Sequence, residues 1–184
     1  MHSLSQAALV SKKDLFSYAK DALQVVAGSL FLSLCAQIAI PLFPVPLTMQ
    51  TFAVMLLGAT LGKVKGTLSV LAYIAESMLG FPVLAGMIVE PLAIFGLRGG
   101  YLFGFIAQAY LTGTFFEKYK TPSFSFTLFS LLLISLLQLG MGALWLASFI
   151  GLNQALLLGF YPFVPGTVLK CLAFFPAYSA HKKI

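Results

Sequence analysis

A single lysine stands out in the most apolar part of the chain. Lys170 is the only charged residue between Thr121 and Ala180. Pro165 suits the first turn of a helix, and Thr167 lies three residues before Lys170, so the threonine and lysine side chains would project from one face. The free N–H groups at such a helix start and the ammonium group would together attract an anion. The pattern predicts a site for a ligand carboxylate or carbonyl, with snorkelling of Lys170 to the lipid headgroups as the alternative.

Polar side chains in two other segments are candidates for the same site. Gln50 follows the prolines of PVPLTMQTF, and its amide both donates and accepts hydrogen bonds, which suits a urea-like or amide ligand. Arg98 lies in the glycine-rich stretch GLRGGY, whose backbone can approach a ligand closely, and Tyr101 follows at its end. The alternatives are a helix-to-helix hydrogen bond for Gln50, a solvated loop charge for Arg98 and an interfacial aromatic for Tyr101.

The composition determines which elements must position these side chains. The chain has 184 residues, of which 60% are hydrophobic and 9% are charged. A soluble domain carries about 25% charged residues, so the composition predicts an integral all-α membrane protein. The sequence contains no HExxH, GxSxG or GxxxxGK[ST] motif, and its two histidines lie at opposite ends of the chain. We therefore expect no catalytic residues, no metal site and no cofactor, and any use of ATP would need a separate subunit.

Six membrane spans are expected from the apolar runs and their breaks. A spanning helix needs about 20 mostly apolar residues. Breaks are expected at the prolines of PLFPVP, at GKVKG, in the irregular segment Pro82–Gly100 and at EKYKTP, because proline, glycine and charge disfavour a continuous span. The first two spans are expected within Ala22–Gly62, a short third span over Thr67–Phe81 and a fourth over Tyr101–Phe116. A fifth span is expected after Thr121, followed by a short segment near Asn153 and a sixth span after Pro165.

The basic residues predict the orientation of these spans. Six spans with both termini inside would place nine of the eleven basic residues on the cytoplasmic side: Lys12, Lys13, Lys20, Lys63, Lys65, Lys118, Lys120, Lys182 and Lys183. This is a positive-inside pattern, and it predicts one multi-pass domain over residues 1–184 in the cell (inner) membrane, with residues 1–20 as a cytoplasmic segment. The lysines thus act as topology signals with a minor attraction to anionic lipid, and a nucleic-acid partner is excluded.

Two pairs of small residues are candidates for close helix packing. Ser29 and Ser33 form a small-xxx-small pair on the first span, and Gly100 and Gly104 form a GxxxG on the fourth. Packing within the chain is the favoured interpretation of both pairs. The first helix is the better candidate for contact with a partner protein.

Five segments together resemble the BioY family, the biotin-binding S components of energy-coupling factor (ECF) transporters. In chain order they are AQIAIPLFPVPLTMQTFAVMLLGATLG, GFPVLAG, RGGYLFGF, ALWLA and GFYPFVPGTVLK, and they cover about Ala36 to Lys170. The P-V-P-x-T-x-Q-T stretch and the final P-G-x-x-x-K are the most specific parts.

The resemblance implies a six-helix S-component bundle that captures biotin under an outer loop and works with a transmembrane coupling subunit and two ATPase subunits. It marks Gln50, Arg98, Tyr101, Thr167 and Lys170 as binding candidates. It also places Ser29 and Ser33 at the family's A-x-x-x-A surface for the coupling subunit. Uptake without those subunits is also open.

The family motif is P-G-D-x-x-K, whereas this chain has Thr167 in place of the aspartate and keeps Lys170. We expect the ligand carboxylate, or Glu90 folding inward, to compensate the charge of the lysine. The alternatives to a biotin carrier are an S component for another vitamin or ring compound and, from another class, an intramembrane enzyme acting on a lipid.

Overall fold

A computed structural model describes the backbone of residues 2–182 and the side chains of residues 16–178. The described residues are mostly helical and include one small strand pair and one 3-10 turn. The elements are α1 (His2–Gln37), β1 (Ala39–Ile40), β2 (Leu47–Thr48), α2 (Gln50–Met78), the 3-10 turn Ala85–Met87, α3 (Gly99–Lys118), α4 (Phe124–Ile150), α5 (Leu152–Gly159) and α6 (Phe163–Lys182).

Helix α2 is a hairpin of two antiparallel arms. Gly62 has φ 81° and ψ 174°, a conformation that reverses the chain and that an L side chain rarely adopts. Residues 23 apart in a straight helix would be about 34 Å apart. The amide of Gln50 instead donates to the hydroxyl of Tyr73 at 2.6 Å. The break expected at GKVKG is therefore confirmed, and the arms 50–61 and 63–78 are the second and third spans.

The described helices have the length and apolar surface of a multi-pass membrane protein. By length and composition, three segments are apolar enough to cross a bilayer: Phe16–Gln37, Phe124–Ile150 and Gln50–Met78, the last counted across its reversal at Gly62. Helices α5 and α6 together form a fourth that is bent by 42°. With α2 counted as two arms and α3 added, the six helical spans expected from the sequence are present. The sixth helix begins at Phe163, two residues before the expected Pro165.

Glycines bring the central helices into close contact. A Cβ added to Gly100 would lie 2.2 Å from the Cβ of Trp145, and one added to Gly104 would lie 2.9 Å from the carbonyl oxygen of Gln138. The GxxxG pair therefore packs α3 against α4 within the chain, as favoured from the sequence.

The proline-rich segment between α1 and α2 forms a short β-hairpin at one end of the bundle. Strands β1 and β2 pair antiparallel, with Ala39 opposite Thr48 and Ile40 opposite Leu47. The backbone N–H of Met49 then donates to the carbonyl of Ile38 at 3.0 Å. This pairing fixes the start of α2 and so aims Thr48 and Gln50 at the bundle interior.

Candidate functional site

One cavity lies at the end of the bundle that contains the strand pair. It encloses about 660 Å³ of space not filled by protein atoms, part of it open to solvent. Its lining comes from five regions of the chain: Val45, Pro46, Thr48, Gln50 and Thr51; Leu84, Ala85, Ala93 and Arg98; Tyr101, Leu102 and Phe105; Gln138 and Leu139; and Phe163, Thr167 and Lys170. All five binding candidates proposed from the sequence line this one cavity.

The helices give the cavity a mouth and a floor. Arg98 immediately precedes α3, while Phe105 lies seven residues further into the helix; Phe163 begins α6, and Lys170 lies seven residues further. At 1.5 Å per residue each helix lines the cavity over about 10 Å. Arg98 is thus at the mouth and Lys170 is at the floor.

Lys170 is buried and held by oxygen atoms of the proline-rich segment. Its side chain is 8% exposed. The ammonium group donates to the carbonyl oxygen of Thr48 and, at 2.8 Å, to the hydroxyl of Thr51. These two bonds leave its third N–H for a ligand oxygen. No carboxylate among the described side chains is within ion-pair distance of Lys170.

Glu90 does not compensate Lys170. Its carboxylate instead lies 3.7 Å from the guanidinium of Arg98, and the two side chains are 42% and 26% exposed, respectively. This corrects the expectation that Glu90 folds inward. Solvent screens this half-exposed pair, so a ligand anion can compete for Arg98 at little cost.

Thr167 supplies no charge at the position where the family has an aspartate. Its hydroxyl donates to the carbonyl of Phe163, one turn earlier in the same helix, at 2.9 Å. The threonine still lines the cavity and keeps free lone pairs on its oxygen. It has no contact with Lys170 in the described structure, so the two residues share a helix face without forming a pair.

Gln50 and Tyr101 form hydrogen bonds with other groups of the protein. Gln50 accepts from the hydroxyl of Thr48 at 2.9 Å and donates to Tyr73 at 2.6 Å. Tyr101 donates to the carbonyl of Gly159 at 2.7 Å, which ties α3 to the end of α5. The helix-to-helix bond considered for Gln50 is therefore present. The Gln50 amide keeps one N–H and one acceptor position and the Tyr101 oxygen can still accept, so each residue can add a hydrogen bond to a ligand besides shaping the cavity.

The irregular segment between α2 and α3 covers one side of the cavity and is fastened at three points. The side chain of Gln37 donates to the carbonyl of Leu84 at 3.1 Å and accepts from the backbone N–H of Met87 at 3.0 Å. Tyr73 donates to the carbonyl of Val83 at 3.3 Å. Trp145 donates to the carbonyl of Gly96 at 3.0 Å. This segment forms a lid that is bonded to α1, to the second arm of α2 and to α4.

The lid fastening predicts a kinetic effect. Replacing Gln37 with leucine removes both side-chain bonds to the lid while keeping the size of the side chain. We expect ligand dissociation to become about tenfold faster, because two neutral hydrogen bonds contribute about 1 kcal/mol each and act only while the lid is closed. Stopped-flow dissociation with an excess of competing ligand measures this rate. An unchanged dissociation rate would show that the lid does not have to open for release.

Ser29 is not on an accessible partner surface, which corrects the prediction for this position. The residue is 0% exposed, and its hydroxyl donates to the carboxylate of Glu76 at 2.6 Å. Ser33 is half-buried, and its hydroxyl lies 3.4 Å from the carbonyl of Val83, toward the lid. The pair therefore faces the interior because α1 turns it toward the second arm of α2. The exposed face of α1 instead carries large apolar side chains such as Leu23, Leu30 and Leu34.

Sequence reasoning missed several lining residues. Gln138, Thr51 and the apolar residues Leu102, Phe105 and Leu139 are not among the binding candidates proposed from the sequence. Thr48 and Thr51 carried a signal, since they flank Gln50 in the proline-rich motif. Gln138 carried no such signal, because it lies in the middle of a helix and belongs to no recognisable sequence motif.

Comparisons with known proteins agree with this architecture. The sequence profile of the BioY family matches residues 5–184. The chain is 38% identical over 138 residues to a probable biotin transporter BioY of Pyrococcus horikoshii, covering 75% of this chain and 81% of the relative. It is 37% identical over 157 residues to the biotin transporter BioY of Thermotoga maritima, covering 80% and 88%.

Its fold matches the crystal structure of the S component for biotin from an ECF-type ABC transporter. The TM-score is 0.79 at 27% sequence identity, and the match covers 91% of this chain and 93% of the other. With a family profile that spans nearly the whole sequence and relatives above 30% identity, the chain belongs to the BioY family of membrane transporters.

Proposed function

We propose that this protein captures biotin in the cavity and mediates its uptake as the S component of an ECF transporter. The single observation that carries the proposal is the convergence of Gln50, Arg98, Thr167 and Lys170 on one apolar cavity. A few convergent polar groups in an apolar cavity are typical of small-molecule sites. The family relationship and the named relatives support biotin as the ligand.

The cavity favours one orientation of biotin. Its floor offers the buried Lys170, with one N–H to spare, to the uncharged ureido ring. Its mouth offers Arg98, which is 26% exposed and paired only loosely with Glu90. A carboxylate kept at the mouth retains part of its hydration, whereas burial at the floor would cost its solvation. We therefore place the ring carbonyl at Lys170 and the carboxylate at Arg98.

The side of entry follows from the lysines. Lys63 and Lys65 flank the turn of α2, and the cavity lies at the opposite end of the same arms, beside Gln50. By the positive-inside rule the turn is cytoplasmic, so the cavity faces outward in the cell membrane and both termini are cytoplasmic. A transmembrane coupling subunit and two ATPases would supply the energy. Biotin uptake by cells with and without those subunits separates that mode from transport by this protein alone.

Calorimetry on the purified protein in detergent tests both the ligand and its orientation. We expect tight binding of biotin and weaker binding of biotin methyl ester, which lacks the carboxylate charge. Replacing Arg98 with methionine should weaken biotin by about tenfold but leave the ester unchanged, because a charge-assisted bond contributes about 1.5–3 kcal/mol. Glu90→Gln, which removes the competing anion, is the matched control and should bind biotin at least as well as the wild type.

Two results would contradict these proposals. If the well-folded wild-type protein does not bind biotin but binds another vitamin, the protein is an S component for that compound. An equal loss of biotin and ester affinity in Arg98→Met would place the carboxylate away from the mouth.

A further inference from the structure

Gln138 is a buried carboxamide with an unused donor at the edge of the cavity. It lies near the middle of α4, is 2% exposed and lines the cavity. Its amide nitrogen is buried and has no hydrogen-bond partner in the described part of the chain. Buried polar groups in native proteins are nearly always paired, so an unpaired donor beside a cavity indicates a partner that is supplied by the occupant.

Among the described side chains, the other two buried glutamines show the contrast at the amide nitrogen. Gln50 uses its oxygen and its nitrogen in bonds to Thr48 and Tyr73. Gln108, one helical turn further along α3 than Gly104, donates from its amide nitrogen to the hydroxyl of Ser135 at 3.1 Å; its oxygen has no partner, but the residue does not line the cavity. Gln138 thus differs from both, because it reaches the cavity and its amide nitrogen is unbonded.

The neighbouring helix is shaped to leave room for this side chain. A Cβ added to Gly104 would lie 3.0 Å from Cγ and 3.3 Å from Nε2 of Gln138, as well as 2.9 Å from its carbonyl oxygen. Any larger residue at position 104 would push the carboxamide away from its place. The contact with Gly104 therefore fixes the position of the Gln138 side chain against α3, on the lining of the cavity.

We infer that Gln138 is a ligand-binding residue that recognises an amide-type group, with Nε2 donating to a carbonyl and Oε1 accepting from an adjacent N–H. This inference rests on the proposed function, in which the group is the ureido ring of biotin. Lys170 can only donate, so it recognises any oxygen. A carboxamide can bond the carbonyl and the adjacent N–H of the ligand ring at the same time. It therefore selects a cyclic urea over rings that lack either group.

Variants of Gln138 and an altered ring test the inference directly. Gln138→Met keeps the size of the side chain and removes both polar atoms. The probes are biotin and 2-iminobiotin, in which a cyclic guanidine, protonated at neutral pH, replaces the urea and removes its acceptor oxygen. We expect Gln138→Met to bind biotin about tenfold more weakly and to discriminate less between the two probes. Gln138→Glu, whose carboxylate accepts from a guanidinium, should shift the preference toward 2-iminobiotin.

Gln108→Met is the matched control, because it removes a buried carboxamide from the same helix interface but outside the cavity. It should leave the affinities for both probes within about twofold. Wild-type selectivity retained in Gln138→Met and Gln138→Glu would overturn the inference while leaving biotin as the ligand. Failure of the folded wild type to bind biotin would overturn the proposed function and this inference together.

Discussion

Replacing Lys170 with methionine is expected to weaken biotin binding by about 100-fold. The ammonium group already donates to the Thr48 carbonyl and the Thr51 hydroxyl, which leaves one N–H for a ligand in the cavity that Lys170 lines. A hydrogen bond from a charged donor contributes up to about 3 kcal/mol, and this donor is buried. Calorimetry with biotin measures the loss of affinity.

Thermal unfolding separates a binding role from a folding role for Lys170. Methionine fills the same space without a charge, so the ligand-free variant should be about as stable as the wild type or more stable. Its melting temperature should no longer rise with biotin. Lys118→Met, which removes an exposed lysine at the end of α3, is the control and should keep the ligand-dependent rise. Undiminished binding by Lys170→Met would assign the lysine to folding or snorkelling.

The parts of the site that could be predicted from sequence are those carried by local motifs. Thr167 and Lys170 share a helix face whatever the fold, and the prolines before Gln50 fix where its helix begins. The positions of these residues were therefore predictable, but their partners were not. The bond from Lys170 to the backbone of Thr48 joins residues 122 apart, and a backbone carbonyl leaves no mark on the sequence.

The same reasoning explains the two corrections. Glu90 was a plausible partner for Lys170 only while the path of the lid was unknown; the lid carries it to Arg98 at the mouth. The family resemblance placed Ser29 and Ser33 at a partner surface, although packing within the chain was the favoured interpretation of their spacing. Spacing alone does not say which neighbour approaches. The structure supplies the neighbour of Ser29, which is Glu76 on the second arm of α2.

Gln138 shows why an apolar span can hide a functional residue. A glutamine inside a membrane helix usually bonds a neighbouring helix, as Gln108 does with Ser135. The two residues are indistinguishable in sequence, since each is one carboxamide in a long apolar run. Only the packing separates them, because it leaves a cavity beside one and a serine beside the other.

The turn of α2 holds the fold together far from the cavity, and it gives the largest expected effect on stability. Gly113 of α3 packs directly on this turn, where an added Cβ would lie 2.3 Å from the backbone nitrogen and 2.4 Å from the Cα of Lys63. Glu117, one turn later, accepts from the same backbone N–H at 2.9 Å. The clash is with backbone, which no side-chain rotation relieves, so α3 would have to move away from the hairpin.

Gly113→Ala is therefore expected to destabilise the protein by about 3 kcal/mol, a melting temperature lower by about 10 °C for a chain of this size. The matched control is Gly140→Ala in α4, where nothing lies within 4 Å of the added Cβ. There alanine should stabilise by up to about 1 kcal/mol, because it restricts the unfolded chain and favours helix. Thermal unfolding of both variants in one detergent gives the comparison. Equal melting temperatures for the two variants would mean that α3 does not rest on the turn, and the alignment of Gln50 with Tyr73 at the far end of the hairpin would then need another support.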